Sequence, residues 1–293
     1  MGFLAALGET AVVVFSVSSM LSAGLANPLR ELLGRLRNVR GVLRVLAANF
    51  VAVPLLGLLV VRLVPLEPPA ETGLLLVAAA AGAPFQVKLT ELAEGDLGFS
   101  TTLLVVLLPA TVVLMPVVVP LLTPGAEVSA GAVALPLLLT MLLPLAGGLL
   151  AGTWRPRWGR RLRPVLGRIS TVALLTLVAA TILANLRALL GLVVEGTLLA
   201  SLLLVVGAFA VGYATGGLRP DVRSALALGT AQRNIVAATV VATQSFGDPR
   251  VTLMVVATSL VTLAVLFPAA AVLRRTDSRV PGLRGRLRGG GSG

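Results

Sequence analysis

The chain has 293 residues, 57% hydrophobic and 12% charged, with a mean hydropathy of +0.99, which excludes an ordinary soluble domain and requires several membrane-spanning helices. A net charge of +12 would suggest nucleic acid in a soluble protein, but here the arginines cluster in short connectors and the tail, as the positive-inside rule predicts. With no cysteine and no histidine, disulfides, thiolate chemistry, imidazole metal sites and histidine proton relays are excluded.

The first predicted span covers 1–26. No basic residues precede its apolar stretch, and Ser16, Ser18, Ser19 and Ser22 interrupt it, so we expect a retained helix rather than a signal peptide. A basic connector with Arg30, Arg35, Arg37, Arg40 and Arg44 follows. The second span, 41–64, contains Asn49 and Pro54, and its exit loop carries Glu67 and Glu71. The third span, 72–93, contains Gly82-Ala83-Pro84-Phe85-Gln86-Val87-Lys88. Pro84 lacks an N–H and disfavours helix before it, so the helix is predicted to break there. A Glu94-Gly95-Asp96 turn leads into the fourth span, 97–122, with Pro109, Pro116 and Pro120. The fifth span, 128–153, ends in the most basic internal loop, Arg155 to Arg168. The sixth, 169–190, carries Asn185 and Arg187 near its end, where the arginine can snorkel. The seventh is 197–215. The eighth, 224–246, holds a second polar interruption, Gly229-Thr230-Ala231-Gln232-Arg233-Asn234, and turns through Gly247-Asp248-Pro249 into the ninth, 251–273. The basic tail, 274–293, ends in a Gly/Ser string expected to be disordered.

Nine spans place the arginine-rich connectors and the tail on one side. This predicts a multi-pass protein of the cell (inner) membrane, N-terminus outside and C-terminus cytoplasmic, and the bias towards Arg, Ala, Leu, Val and Gly fits a GC-rich bacterial genome. Spans two to four and seven to nine each form a triplet with an interrupted middle helix and a Gly-Asp turn. The triplets begin five spans apart and so run in opposite directions, as inverted repeats of secondary transporters do. The fold class is therefore an all-α polytopic membrane protein of nine transmembrane helices, with inverted repeats and two broken helices.

Lys88, the only lysine in the chain, falls about two helical turns from the predicted interface. An intramembrane charge needs a partner or a watery cavity. Glu91, three residues on, is one candidate partner, and burial would let Lys88 load and release a proton. A simple snorkelling lysine is the plainer reading. Arg233 could likewise pair with a carboxylate such as Glu91. Two fixed cations near one cavity would suit an anionic substrate, or would stand in for bound metal cations. The unwound backbone around Gln232 and Asn234 offers further polar groups.

At these residues the chain resembles the bile acid:sodium symporter family. The stretch Ser19-Met20-Leu21-Ser22-Ala23-Gly24-Leu25 is similar to the family's first Gly/Leu-rich segment. Asn49-Phe50 with Pro54 resembles its Gln-Phe…Pro helix, and Leu92 to Asp96 followed by Ser100 resembles the turn after the first crossing. Ala225-Leu226-Ala227 and Phe246 fit around the second break. The resemblance implies a core of two inverted units, 40–122 and 194–273, whose broken helices cross near mid-membrane. Beside it would stand a panel formed by 1–26 and 128–190, with substrate between the two. It also implies two sodium sites built from oxygen ligands. Here a Ser-Asn pair falls on Gln86 and Val87, a Glu on Gly229, a Gln on Arg233 and a Thr on Leu104, while Ser100 matches and Asn49 is a shorter stand-in for Gln. Hard cations need oxygen ligands and net negative charge, so Lys88 and Arg233 should exclude sodium.

The expected site residues are Asn49, Gln86, Lys88, Glu91, Ser100, Gln232, Arg233 and Asn234, with Pro84 and Gly229 at the helix breaks and no metal or other cofactor. The expected function is a secondary carrier of organic anions, amphipathic carboxylates of the bile-acid kind, not classically coupled to sodium. Proton coupling through Lys88 or Glu91, exchange, or facilitated transport are all open. A sodium-dependent symporter is the first alternative, and a sensor or channel on the same fold the second. An intramembrane enzyme is disfavoured by the lack of Gly-x-Ser-x-Gly, His-Glu-x-x-His or paired intramembrane aspartates. The expected partners are a small organic anion and the bilayer, not nucleic acid; a monomer is plausible and the oligomeric state is open.

Overall fold

The computed structural model describes residues 2–26, 39–83, 85–123, 129–184, 196–217 and 219–277, and every regular element among them is helical. Pro84, Glu127, Asn185, Arg187 and the Gly/Ser tail lie outside the described residues, as does most of the first basic connector.

Helix α1 is Gly2–Ala26. Helix α2 runs Val39–Ala47, widens into a π turn at Ala48–Ala52, and continues as Val53–Leu63. The expected third span is divided between α3, Pro68–Ala79, and α4, Gln86–Leu92. Then come α5, Leu97–Leu122, and α6, Ala130–Leu137, which passes a π turn at Leu138–Leu142 into Leu143–Trp154. Helix α7 is Pro156–Ala184 and α8 is Thr197–Thr215. The expected eighth span divides into α9, Pro220–Ala231, and α10, Ile235–Val241 with a π turn at Ala242–Phe246. Helix α11 is Pro249–Asp277.

Local sequence explains the ends. Helices α3, α9 and α11 open on proline, whose missing N–H falls on a group without an intrahelical partner anyway. Asp96 caps α5, its Oδ1 accepting from Phe99 N at 2.9 Å, and Asn234 caps α10, its Oδ1 accepting from Ala237 N at 3.1 Å. The prolines inside α5 are tolerated because the helix continues through them with neighbours on its buried side.

Seven segments among the described residues are long and apolar enough to cross a membrane: 6–25, 40–63, 97–122, 130–154, 197–215, 220–246 and 249–274. The chain is a multi-pass membrane protein. Helices α3 and α4 miss that criterion because each is short: twelve residues rise roughly 18 Å, against a hydrocarbon core of about 30 Å. Helix α7 begins at Pro156, so the basic stretch Arg155 to Arg168, expected as a loop, is almost wholly helical.

Helix α1 packs along α7 and α6, and glycines allow the approach. A Cβ on Gly24 would lie 2.4 Å from Leu145 O, and one on Gly148 2.5 Å from Leu21 O. Helix α8 packs on α9 and α11, and α3 on α11 and α2. The broken pair α9–α10 lies innermost, with 94% of its apolar window buried.

Candidate functional site

The two helix interruptions meet. Helix α3 ends at Ala79, so the break begins at Ala80, four residues before the expected Pro84. Ala80 is extended, with φ −86° and ψ 103°, and Gly82 sits at φ +73°, a left-handed conformation that an L side chain resists. There is no room for a side chain at Gly82 either, since a Cβ would lie 2.8 Å from Leu107 Cβ and Leu108 N. The freed backbone groups are bonded across the crossing. Asn234 N donates to Ala80 O at 3.0 Å, and Asn234 Nδ2 donates to Gly82 O at 3.1 Å. Thr111 on α5 serves both sides of Ala81: its Oγ1 accepts from Ala81 N at 3.1 Å and donates to Ala81 O at 2.8 Å. Non-helical backbone at this depth is tolerated only when satisfied in this way.

Arg233 occupies the centre. Only 2% exposed, it reaches five acceptors and no carboxylate. Nε donates to Val77 O at 3.2 Å. One terminal nitrogen donates to Asn49 Oδ1 at 2.8 Å and Thr230 O at 3.3 Å, the other to Ala78 O at 2.6 Å and Asn49 O at 3.2 Å. Val77 and Ala78 belong to the last turn of α3, whose carbonyls carry the negative end of the helix dipole. Asn49 lies in the π turn of α2, where its own carbonyl turns to Arg233. Its Nδ2 donates to Val45 O at 3.1 Å and Thr230 Oγ1 at 3.3 Å. The guanidinium is thus held as a cation is held, by oxygens from a helix C-terminus and a loosened helical turn.

Gln86, Ser100 and Gly229 form an adjoining cluster. Gln86 Nε2 donates to Ser100 O at 3.0 Å, and Thr90 Oγ1 donates to Gln86 O at 2.9 Å and lies 3.0 Å from the Ser100 hydroxyl oxygen. A Cβ on Gly229 would fall 2.4 Å from Leu103 Cδ2 and 3.3 Å from Gln86 Oε1. The volume a carboxylate side chain would need at 229 is therefore filled by Leu103 and the Gln86 amide. Gln86 Oε1 and Gln232 Oε1 are buried with no hydrogen-bond partner.

Lys88 is placed otherwise than expected. It does not share a cavity with Arg233: its side chain is 73% exposed and its Nζ lies 2.8 Å from Glu91 Oε2. The expected i,i+3 pair forms, and it lies on the outer face of α4 because the short helix buries Gln86, Leu89 and Thr90 instead. The alternative partnership of Arg233 with Glu91 is replaced by the carbonyl cage. Asn49, Gln86, Ser100, Gln232, Arg233 and Asn234 are all buried, and hydrogen bonds join Asn49 to Arg233 and Gln86 to Ser100. Thr90, Thr111 and Thr230 were not foreseen. A threonine on a membrane helix ordinarily bonds the carbonyl four residues back, so no sequence signal separates these three from the rest.

Charged turns close the ends of the broken units. Arg274 Nε lies 2.9 Å from Glu94 Oε1, Arg219 NH2 3.6 Å from Asp96 Oδ2, and Arg250 NH1 3.2 Å from Glu67 Oε2. Partial burial of Asp248 raises its carboxyl's affinity for a proton, but hydrogen bonds and charge from Arg250 more than reverse this and hold it below the usual carboxylate range.

The two helix interruptions thus share a buried polar site inside a multi-pass membrane protein. The chain belongs to the sodium bile acid symporter family, whose model matches residues 12–192, most of its length. That match spans α1 to α7, including the first break, and ends before the second. No curated protein matches the chain.

Proposed function

We propose that this protein is a secondary carrier of organic anions working by alternating access, with a protein guanidinium where relatives would use sodium. The reading rests on one observation: Arg233 is fully bonded by five oxygens at the crossing, with no carboxylate beside it. Unwound carbonyls and half-helix C-termini are the groups that coordinate sodium in broken-helix carriers. Here those groups are already taken by a permanent cation. The filled volume at Gly229 points the same way, because it removes the place for a charge-balancing carboxylate.

Within this reading the chain crosses the membrane nine times, the paired short helices α3–α4 and the second half of α7 supplying the two crossings beyond the seven long apolar segments. Residues 40–122 and 194–273 form two inverted units, 1–26 and 128–190 a panel, and an amphipathic carboxylate binds between them. The C-terminus is cytoplasmic. The exposed Lys88–Glu91 pair lacks the burial that proton loading at Lys88 requires.

The test is counterflow in proteoliposomes preloaded with an unlabelled bile acid, with sodium or choline as the external cation. Labelled bile acid should accumulate equally in both. Accumulation that requires sodium and saturates with it would overturn the guanidinium reading. No counterflow with bile acids or other amphipathic carboxylates would overturn the substrate class.

A further inference from the structure

Helix α7 carries an arginine stripe on its lipid side. Its packed face is set by Gly159, Ser170, Ala173, Leu177 and Ala180, all buried. Opposite that face, at helical spacing, Val172, Leu175 and Leu183 are more than 60% exposed, an apolar surface suited to acyl chains. Followed towards the N-terminus, the same stripe becomes Arg168, Arg161 and Arg157, all exposed. None of the three takes part in an ion pair among the described residues.

The start of α7 does not stand off in water. A Cβ on Gly159 would meet Leu25 O at 3.2 Å, and one on Gly152 would meet Leu25 O at the same distance, so the first turns of α7 run back beside the ends of α1 and α6. Trp154, 74% exposed at the end of α6, fits the membrane–water boundary. From Arg157 to Arg168 the helix rises roughly 16 Å, so the stripe leads from that boundary down towards the acyl layer. Unpaired guanidinium groups facing hydrocarbon are strongly disfavoured, and phosphate is the anion that matches their geometry.

We propose that Arg157, Arg161 and Arg168 form a binding face for anionic phospholipid, phosphodiester groups meeting the arginines along the stripe and acyl chains lying along Val172 and Leu175. The inference depends only on the helix lying in a bilayer, not on what the protein carries. It is tested with the full chain in neutral detergent, following the melting temperature on adding phosphatidylglycerol, phosphatidylcholine or water-soluble glycerol phosphate. Only phosphatidylglycerol should raise it. The variant R157Q/R161Q/R168Q should lose most of that rise, with apparent lipid affinity lower by on the order of tenfold or more. A control removing the same charge from α2, R40Q/R44Q/R62Q, should keep it. Equal loss in both variants, or full retention in the α7 variant, overturns the proposal. A comparable rise with glycerol phosphate or phosphatidylcholine does so too. Should the triple variant not fold, R161Q and R168Q singly are read by the same criteria.

Discussion

Replacing Arg233 by alanine tests the centre of the site. The change removes a cation and leaves five acceptors behind it. Val77 O keeps a bond from Ala80 N at 3.2 Å, so its loss is small. Ala78 O and the Asn49 side-chain oxygen lose the short bonds of 2.6 and 2.8 Å. Each buried acceptor left without a donor costs about 1–3 kcal/mol. The cavity adds to that, while release of a desolvated charge offsets several kcal/mol. The net expectation is a loss of about 2–4 kcal/mol. For a chain of this size that corresponds to a melting temperature lower by roughly 5–10 °C at a fixed scan rate. Arg233→Lys should fall between, since an ammonium offers fewer donors in a different geometry. The discriminating arm adds sodium or guanidinium ion at millimolar concentration. Either should recover part of the loss in Arg233→Ala and leave the natural protein unmoved, because a ligand bound only by the folded form raises its stability. Arg233→Ala melting within about 2 °C of the natural protein, or unresponsive to both cations, would refute the argument that the cage is built around a positive charge.

Gly229→Glu should destabilise by about 1–3 kcal/mol through overpacking against Leu103 and Gln86, and Leu103→Ala in the same chain should relieve part of it; thermal melts of the four proteins close the cycle. Asn234→Ala removes the cap of α10 and the bond to Gly82 O together, for an expected loss of about 2 kcal/mol, whereas Asp96→Ala removes the cap of α5 and should lose about 1 kcal/mol. The depressed carboxyl of Asp248 contributes stability above its unfolded pKa of about 3.9 and loses it as pH falls through the lower folded value. Asp248→Asn should therefore melt below the natural protein at neutral pH and approach it in acid.

Hydropathy and the arginine pattern made the membrane class legible, and most helix limits agree with the spans read from sequence. The first break was legible as a place but not in detail. Pro84 drew attention to the region, yet the helix stops at Ala80, where hydrogen bonds from Asn234 and Thr111 favour an extended backbone over one more helical turn. Those bonds come from residues far apart in sequence, and no local propensity encodes them. Arg233 was legible as out of place inside an apolar segment. Its partners were not, because four of its five acceptors are backbone carbonyls, of Asn49, Val77, Ala78 and Thr230, which any residue supplies. Lys88 misled for a related reason. Its depth along the chain was read as depth in the structure, whereas α4 is a short helix that turns Lys88 and Glu91 outward together.

In the proposed architecture, the placement of bonds between the two units, 40–122 and 194–273, argues for which parts would move. At the centre, Arg233 and Asn234 of the second unit bond the backbone of the first at Val77, Ala78, Ala80 and Gly82. At one end, the turn Glu94 to Asp96 of the first unit meets Arg219 and Arg274 of the second. At another, Arg250 of the second reaches back to Glu67 of the first. The exposed pairs are worth little singly, about 0–1 kcal/mol each, so they fix register, while the buried crossing supplies the stiffness. Helices α1, α6 and α7 are closed on one another differently, by glycine contacts at Gly24 and Gly148. Between the two bodies the contacts of α10 with α1 and α6 include few polar bonds, among them Ser245 Oγ to Ala132 O at 2.9 Å. An alternating-access step that sheared the crossing would break the seven buried hydrogen bonds that join Asn49, Val77, Ala78, Ala80 and Gly82 to Thr230, Arg233 and Asn234, at order-of-magnitude costs well above thermal energy. One that slides the crossed units as a single body past α1 and α6 breaks few. The rigid-body route is the one this bonding pattern favours.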